Sequence, residues 1–409
     1  MQFVQEPARR TEVVSDVDVL VAGGGIAGVA AAVCAARRGA EVLIVERYGY
    51  LGGVTVGWPV PVLIQYGRPD QYFVQGFGRE LIDRLDELGG WIGPDEPESR
   101  GDGLLDTELL RLVLAEKCRE AGVEVLLHSW IVDAVTEDDA VRGVIVENKS
   151  GRQALTAEVV VDATGDADVA ALAGAAMLQD EDPEAVDEPT GQAVGKCSFR
   201  ADPEGVDTER FERFKEEEPE RYEELMEQVV AAGGVKELGG AAISFRGDAV
   251  DVRDLTRMEM EGSRQALVTL EFFRQNVPGW ENATIGRLAD QFGVRYGRRI
   301  AGLETLTKEH VKEARRTDQD IARFHAGGEA GGIPYGCLVP RSVDGLIIGS
   351  RSISVEEAAF GSIRLIGTAW ALGEAAGTAA ALAQAEGIEP RYLDVARLRA
   401  ALKDQGALV

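Results

Sequence analysis

Three glycines and one glutamate near the start of the chain have the types and spacing needed to bind a dinucleotide. Gly23, Gly25 and Gly28 form a GxGxxG pattern directly after the apolar run at 17–22. The first glycine permits a tight turn, the second lets the backbone approach a pyrophosphate, and the third lets a helix pack closely on a strand. Glu46 ends the next apolar run, where its carboxylate can accept hydrogen bonds from ribose hydroxyls. The pattern predicts a dinucleotide at a helix N-terminus, whose partial positive charge favours phosphate, and leaves the dinucleotide's identity open.

Positioning these residues requires a βαβ unit. The run at 17–22, the glycine turn, a small-residue helix ending at Gly39 and the strand EVLIVE follow one another, so the two strands must be parallel. DTELLRLVLAEKCREAG has the spacing of an amphipathic helix, and VEVLLHSWIVDAV, RGVIVEN, RQALTA and EVVVDATG have the pattern of four strands. These elements predict an α/β fold.

The remainder of the chain predicts an inserted domain and a return to the first one. Residues 172–290 carry the strands KCSFR and AAISFR, one highly charged helix and a long helix closed by Pro278, which we interpret as a mixed α+β substrate or cap domain. The strand GLIIGS and an Ala/Gly-rich helix at about 361–386 then follow. We therefore predict a discontinuous domain (13–171 and 291–390), the inserted domain (172–290) and a C-terminal helical tail (391–409).

Further motifs resemble those of the FAD-dependent oxidoreductase family, within the glutathione-reductase-like two-dinucleotide-fold flavoproteins. RYGYLGGVT is similar to the second pyrophosphate-contacting loop, VVVDATGD to the ATG signature, and GLIIGSRSISVEEAAFGSIRLIGTAW to the last flavin-contacting motif. The resemblance covers about 13–60, 105–170 and 251–386. It implies a Rossmann-like FAD-binding domain, built on a parallel sheet with a β-meander, and FAD as the cofactor.

The glycine turn and the resemblance together imply one set of cofactor-binding residues. The set comprises Gly23, Gly25, Ile26, Ala27, Gly28, Glu46, Arg47, Gly52, Gly53, Val54, Thr55, Ile131, Ala163, Thr164, Gly165, Asp166, Gly349, Ser350, Gly361, Ser362, Ile363 and Arg364.

The chain departs from the family pattern at two places. Tyr296 and Gly297 stand where an acid and a serine are common, and Glu357 and Ala358 stand where a His-Glu pair is common. Two alternatives therefore stay open: a protein that binds FAD as a scaffold without turnover, and an NAD-dependent Rossmann enzyme.

The resemblance implies hydride transfer between the flavin N5 atom and a small, anionic metabolite. Arg298 and Arg299 are candidates for binding an acidic group, because a guanidinium forms two parallel hydrogen bonds with a carboxylate. Glu357 and His310 are candidates for the catalytic base. Each of these four residues has an alternative interpretation. The two arginines could form structural salt bridges, Glu357 could screen the site from solvent, and His310 could lie on the surface of a helix.

Other residues are weaker candidates. His128, in a predicted strand of the meander, favours a packing role, and His325 lies in a predicted helical stretch. Tyr335 and Cys337 could line a substrate pocket, but Cys337 has no neighbouring thiol with which to form a redox disulfide.

Composition limits the partners. A net charge of -27 argues against nucleic acid and anionic membranes. The four cysteines form no CxxC pair, so we expect reduced thiols and no metal site. With no signal-like or membrane-length apolar segment, we expect a cytoplasmic protein. A second GxGxxG with a following acid is missing from the sequence, so the electron acceptor must be external, and a homodimer is the ordinary state at this size.

Overall fold

The computed structural model describes residue 4 and residues 7–64, 67–68, 71–93, 102–179, 186–187, 192–193, 196–240, 242–326 and 329–409. The strands are β1 (Glu12–Ala22), β2 (Val42–Val45), β3 (Val62–Leu63), β4 (Gly67–Arg68), β5 (Gln71–Tyr72), β6 (Trp91–Ile92), β7 (Gly103–Leu105), β8 (Glu124–Leu126), β9 (Trp130–Glu137), β10 (Ala140–Asn148), β11 (Gly151–Asp162), β12 (Val186–Asp187), β13 (Gln192–Ala193), β14 (Lys196–Phe199), β15 (Ala201–Glu204), β16 (Ile243–Arg246), β17 (Thr284–Leu288), β18 (Gly293–Val294), β19 (Asp320–Ala326), β20 (Glu329–Pro334) and β21 (Leu346–Ile348).

The α-helices are α1 (Ile26–Ala36), α2 (Gly53–Gly57), α3 (Phe77–Glu87), α4 (Thr107–Ala121), α5 (Asp168–Leu172), α6 (Thr208–Glu217), α7 (Pro219–Ala231), α8 (Val252–Asn276), α9 (Lys308–Lys312), α10 (Ile366–Glu386) and α11 (Val395–Asp404). Short 3₁₀ helices lie at Tyr335–Cys337, Glu357–Ser362 and Pro390–Tyr392. Within the described part of the chain, none of the helices combines the length and the apolar character needed to cross a bilayer.

One seven-stranded sheet organises the protein, in the order β8-β2-β1-β11-β10-β9, with β21 beside the end of β11. β8, β2, β1, β11 and β21 run parallel, β10 is antiparallel to β11, and β9 is antiparallel to β10. All four residues of β2 are buried, as expected for a strand covered on both faces. This parallel-rich sheet with flanking helices confirms the predicted α/β fold class, and it brings the carboxyl ends of β1, β2, β11 and β21 to one edge.

The strands of the meander differ in part from the predicted ones. RQALTA and EVVVDATG form the single strand β11, which pairs with β1 along most of its length. VEVLLHSWIVDAV is two strands, and β8 and β9 lie at opposite edges of the sheet. His128 lies between them with a φ of 54°, so the prediction that it belongs to a strand is wrong. A left-handed residue ends the strand and lets the chain change edges.

Two predicted helices also have different bounds. The charged segment forms α6 and α7, which are separated because Pro219 lacks the N–H that would continue the first helix and instead begins the second. The last long helix begins at Ile366, after the 3₁₀ helix Glu357–Ser362. The flavin-contacting motif of the sequence is therefore a tight 3₁₀ turn followed by the helix.

α10 packs directly on α1 through its small residues. A Cβ placed on Gly373 would lie 2.0 Å from the carbonyl oxygen of Ala27, and one on Gly377 would lie 2.0 Å from that of Ala31. Because any side chain there would push the helices apart, the two glycines fix α10 against the helix that follows the glycine turn.

The described residues form one large and two smaller hydrophobic cores. The large core takes buried side chains from Val17 to Ala175 and from Tyr296 to Val409, including Leu398 and Leu402 of α11. The second core lies between Ala201 and Ala283, and a third contains Met258. The C-terminal segment thus packs on the large core, while the predicted domain boundaries stay a prediction.

Candidate cofactor and substrate site

A cavity of about 380 Å³ lies where β1, β2, β11 and β21 end. Its wall includes Gly23 after β1, Glu46 after β2, Ala163 after β11 and Ser350 after β21. In open α/β sheets, this crevice outside the carboxyl ends of the strands is where ligands bind.

The glycines of the turn between β1 and α1 meet two different requirements, close packing of protein atoms and room for a ligand. Gly23 has a φ of 101°, and a Cβ there would lie 2.6 Å from the carbonyl oxygen of Ala163. A Cβ on Gly28 would lie 1.9 Å from the carbonyl oxygen of Gly23. At Gly25, in contrast, φ is -65° and a Cβ would meet no protein atom within 4 Å. Protein packing therefore explains Gly23 and Gly28, whereas Gly25 leaves room for a ligand.

Glu46 is held at the end of β2 by backbone donors. Its Oε2 accepts a hydrogen bond from Gly24 N at 2.7 Å and its Oε1 one from Tyr48 N at 2.8 Å. Burial raises the pKa of the carboxyl, and these two hydrogen bonds oppose the rise. Each oxygen keeps a lone pair, so the buried carboxylate can accept two further hydrogen bonds from a ribose.

A second backbone turn faces the first. Gly52 N donates to the carbonyl oxygen of Gly24, and a Cβ on Gly53 would lie 2.9 Å from Gly25 Cα. Gly52 and Gly53 both have positive φ, at 114° and 52°. The two turns form a cradle of backbone that is lined by glycine, as a pyrophosphate requires.

The turn after β11 is fixed by a buried carboxylate. Asp162 accepts hydrogen bonds from Thr164 N and Oγ1 and from Ala170 N. Burial raises the pKa of Asp162 to about 6. These bonds hold Thr164 and Gly165 in the cavity wall.

One departure from the family pattern has a physical reason in this turn. Asp166 pairs with Arg351 at 2.9 Å, and both residues line the cavity. A Cβ on Gly297 would lie 2.0 Å from Asp166 Oδ1, so a serine at this position could not coexist with the observed carboxylate. The position of Asp166 in its pair with Arg351 therefore requires a glycine at position 297.

Most of the residues predicted to bind the cofactor line this one cavity. They are Gly23, Gly25, Ile26, Ala27, Glu46, Arg47, Gly52, Gly53, Val54, Thr55, Ala163, Thr164, Gly165, Asp166, Ser350, Gly361 and Arg364.

Five predicted cofactor residues lie outside the cavity wall. Gly28 and Gly349 pack against protein, since a Cβ on Gly349 would lie 2.8 Å from Val161 Cγ1. Ile131 lies in β9, Ser362 ends the 3₁₀ helix, and Ile363 is fully buried after it.

The four predicted catalytic residues do not line the cavity. Arg298 Nη1 donates to the carbonyl oxygen of Asp166 and pairs with Asp168, and the buried Arg299 donates to the carbonyl oxygen of Val355. His310 Nδ1 accepts a hydrogen bond from Thr307 N in the capping box of α9. Glu357 is buried at the start of a 3₁₀ helix. Their catalytic role stays a prediction, and the contacts seen here hold neighbouring backbone.

The weaker candidates also lie away from the cavity wall. The His128 ring packs on Gly49, where a Cβ would lie 2.5 Å from His128 Cε1. Tyr335 and Cys337 are buried, and the tyrosine hydroxyl donates to the carbonyl oxygen of Pro390. His325 belongs to strand β19, not to a helix, and its side chain lies outside the described residues.

The structure adds wall residues that sequence reasoning did not select. They are Tyr48, Trp58, Val60, Val62, Ile64, Gln291, Phe292, Gly293, Val294, Arg295, Arg351, Leu365, Ile366 and Ala369. The segment FGVRYGRRIAG contains Arg295, Arg298 and Arg299, but only the fold decides which arginine faces the cavity. For Arg351, which follows Ser350 directly, adjacency to a predicted residue was a usable signal.

Comparison with known proteins decides the family. The sequence model described as "FAD dependent oxidoreductase" matches residues 18–402. The chain belongs to this family. FAD is the cofactor of this family, so the alternative of an NAD-dependent Rossmann enzyme is excluded. The narrower assignment to the glutathione-reductase-like flavoproteins stays a prediction.

Individual relatives match over shorter segments. Thiamine thiazole synthase of Aeropyrum pernix is 36% identical over 36% of this chain and 54% of its own length. Digeranylgeranylglycerophospholipid reductase 2 of Methanothermobacter thermautotrophicus is 31% identical over 36% of this chain and 39% of its own length. The chain thus spans about half or less of these relatives.

Among solved structures, a geranylgeranyl bacteriochlorophyll reductase-like protein from Thermoplasma acidophilum aligns with 96% of this chain and 84% of its own. Its sequence identity to this chain is 14% and the TM-score is 0.46.

The glycine-lined cradle and the carboxylate fit FAD. Gly25 and Gly53 leave the backbone bare where a pyrophosphate would lie, and Glu46 offers acceptors for ribose hydroxyls. Ser350, Gly361 and Arg364 lie in the wall of the same cavity and would hold the flavin half.

Proposed function

We propose that this FAD-dependent oxidoreductase transfers a hydride between a small anionic metabolite and the flavin N5 atom. The observation that carries the proposal is a pair of arginines, Arg295 and Arg364, in the cavity wall. The direction of transfer is left open, because reduction of an activated double bond is the reverse chemistry.

The two arginines lie close enough to influence each other. Burial lowers the pKa of Arg295, and the positive charge of Arg364 lowers it further. Like charges in a partly buried place repel each other, and an anion between them would relieve the repulsion. A guanidinium also binds carboxylate through two parallel hydrogen bonds, which would orient the substrate. The neighbouring Arg351 pairs with Asp166.

The rest of the wall would bind and shield the substrate. When bound, FAD supplies the hydride acceptor or donor. Trp58, Val60, Val62 and Ile64 form an apolar side of the cavity that would exclude water from the reacting C–H bond. Among the described wall residues, neither histidine nor lysine is present, so we expect no histidine-dependent step in the pH profile of reduction.

We further propose that the electron acceptor is external, because the sequence has no second GxGxxG with a following acid. Oxygen, a quinone and a protein carrier are the alternatives. The charge of -27 supports a protein that binds neither nucleic acid nor anionic membranes. A cytoplasmic location and a homodimer belong to the same proposal.

Anaerobic addition of metabolites to the FAD-loaded protein tests the proposal. We expect at least one hydroxy or amino acid to bleach the flavin absorption bands. In R295M the concentration for half-maximal reduction should rise about tenfold or more, since a hydrogen bond to a charged group contributes about 1.5–3 kcal/mol. R341M, which removes an exposed arginine outside the cavity wall, is the matched control. A flavin that only a chemical reductant bleaches would favour the scaffold alternative instead.

A further inference from the structure

Arg323, in β19, is a buried cation that has no salt-bridge partner among the described residues. Its side chain is 8% exposed. Among the described residues, its Nη1 has no hydrogen-bond partner. An isolated buried charge is unfavourable for the folded protein, so an unpaired guanidinium here calls for a ligand.

The guanidinium lines a small pocket of about 40 Å³, with both polar and apolar residues in its wall, that adjoins the cavity described above. Ile64 and Leu365 belong to the walls of both, so the two spaces are neighbours. Phe73 and Val74 supply further apolar surface around Arg323. The pocket therefore has room for a small anionic group such as a carboxylate, and the apolar body of the ligand would extend from it toward the main cavity.

The charges around Arg323 do not neutralise it. Burial lowers the pKa of Arg323, and Arg316 and Arg399 lower it further, while Asp320 opposes them. Asp320 accepts hydrogen bonds from Thr317 N and Oγ1, so its carboxylate is held by the neighbouring turn.

One carboxyl group shares the pocket wall, but it has other partners. Glu374 accepts hydrogen bonds from Phe77 N at 3.2 Å and from Gln405 Nε2 at 2.8 Å. Burial raises its pKa to about 7, so near neutral pH it carries only part of a charge. The hydrogen-bond donors to Glu374 are thus groups other than Arg323.

The start of α10 adds positive character to the same pocket. Its N-cap residue, Leu365, provides no capping hydrogen bond from its side chain. Gly367 and Thr368, in the first turn of this 21-residue helix, line the pocket with Arg323. A helix N-terminus favours an anion, so two independent features point to one charge.

We propose that Arg323 binds the carboxylate of a substrate that has an apolar body, and so selects the anionic metabolite of the proposed function. The inference rests on that function, because the reacting end of the same molecule would lie in the main cavity. Arg295 and Arg364 would then contact the substrate at one end and Arg323 at the other. Such a substrate carries two anionic groups, one at each end.

Calorimetric titration of the FAD-loaded protein measures this binding without turnover. The probe is phenylacetate, and the neutral phenylacetamide is its matched control. We expect phenylacetate to bind and phenylacetamide to bind at least tenfold more weakly. R323M should weaken phenylacetate binding about tenfold to a hundredfold, R323K should restore part of it, and R316M, an exposed arginine nearby, should stay within threefold of wild type.

Thermal unfolding of the ligand-free variants separates binding from a structural role. R323M should unfold at the same temperature as wild type or at a higher one, because it removes an unpaired buried charge. A lower unfolding temperature in R323M, or unchanged phenylacetate affinity, would overturn the inference. Affinity for inorganic phosphate that equals that for phenylacetate and depends on Arg323 would also contradict it. Failure of the proposed function is a different result: a flavin that no metabolite bleaches, whatever the titrations give.

Discussion

At the scale of single residues, the glycine turn separates packing from ligand binding. Gly28 is needed because a Cβ would collide with the carbonyl oxygen of Gly23. Gly25 has a φ that any residue can adopt and open space around it, so its role depends on the cofactor. The two positions therefore respond differently to substitution.

We expect G25V to fold with an unchanged thermal unfolding temperature in the absence of FAD but to bind FAD at least tenfold more weakly. Its side chain would enter the space where the pyrophosphate would lie, and its Cβ would have no protein atom within 4 Å. The flavin content of purified protein and the unfolding temperature of the FAD-free form measure the two effects. G28A is the comparison and should lower the unfolding temperature. Full FAD occupancy in G25V would contradict the assignment of the cradle.

The sequence predicts this part of the site well and the substrate end poorly. Gly23, Gly25 and Glu46 are set by local geometry, which a motif encodes. Arg295 and Arg298 lie three residues apart, yet the first lines the cavity and the second donates to the carbonyl oxygen of Asp166. Residue type indicates what an arginine can bind, but only tertiary packing determines where it points.

At the scale of elements, the βαβ unit and α10 could be predicted because their periodicity is local. The division of VEVLLHSWIVDAV between two edges of the sheet could not be predicted. Both halves alternate between apolar and polar residues in the same way, and the choice of edge depends on long-range pairing. The pocket beside the start of α10 depends in the same way on long-range packing, because β19, α10 and residues 73–75 all line it.

The buried carboxyl of Glu374 links separate elements of the fold, and its raised pKa predicts that the stability of the protein depends on pH. It joins α10 to the N-terminus of α3 and to Gln405. Its pKa rises from 4.5 to about 7 on folding, so the folded protein holds a proton that the unfolded chain has lost. The free energy of unfolding should therefore fall between pH 4.5 and about 7, by up to about 3 kcal/mol from this group.

Denaturant unfolding from pH 4.5 to 8 checks this expectation. In E374Q the free energy of unfolding should not show this decrease with pH, because the neutral glutamine side chain has no proton to release. The variant should therefore gain stability relative to wild type as the pH rises to about 7. E227Q removes an exposed glutamate of α7 and is the control for the loss of one negative charge. Parallel profiles for wild type and E374Q would contradict the coupling.

At the scale of the whole molecule, the family match and the large hydrophobic core extend over the same part of the chain. The match covers residues 18–402, and the large core draws side chains from both ends of that range. The second core lies between the two segments that build the large one, and the cavity wall includes residues 291–295 just after it. The sheet builds the part of the cavity at its strand ends, and the part that contains Arg295 and Arg364 depends on segments that meet only in the fold.

The central claim is that this chain is a flavoprotein whose cradle holds FAD. Titration of the cofactor-free protein with FAD, and separately with NAD⁺, tests it most directly, with visible absorption and calorimetry as readouts. We predict saturation at one FAD per chain with the flavin bands perturbed on binding, and no comparable binding of NAD⁺. Tight NAD⁺ binding together with failure to take up FAD would contradict the account.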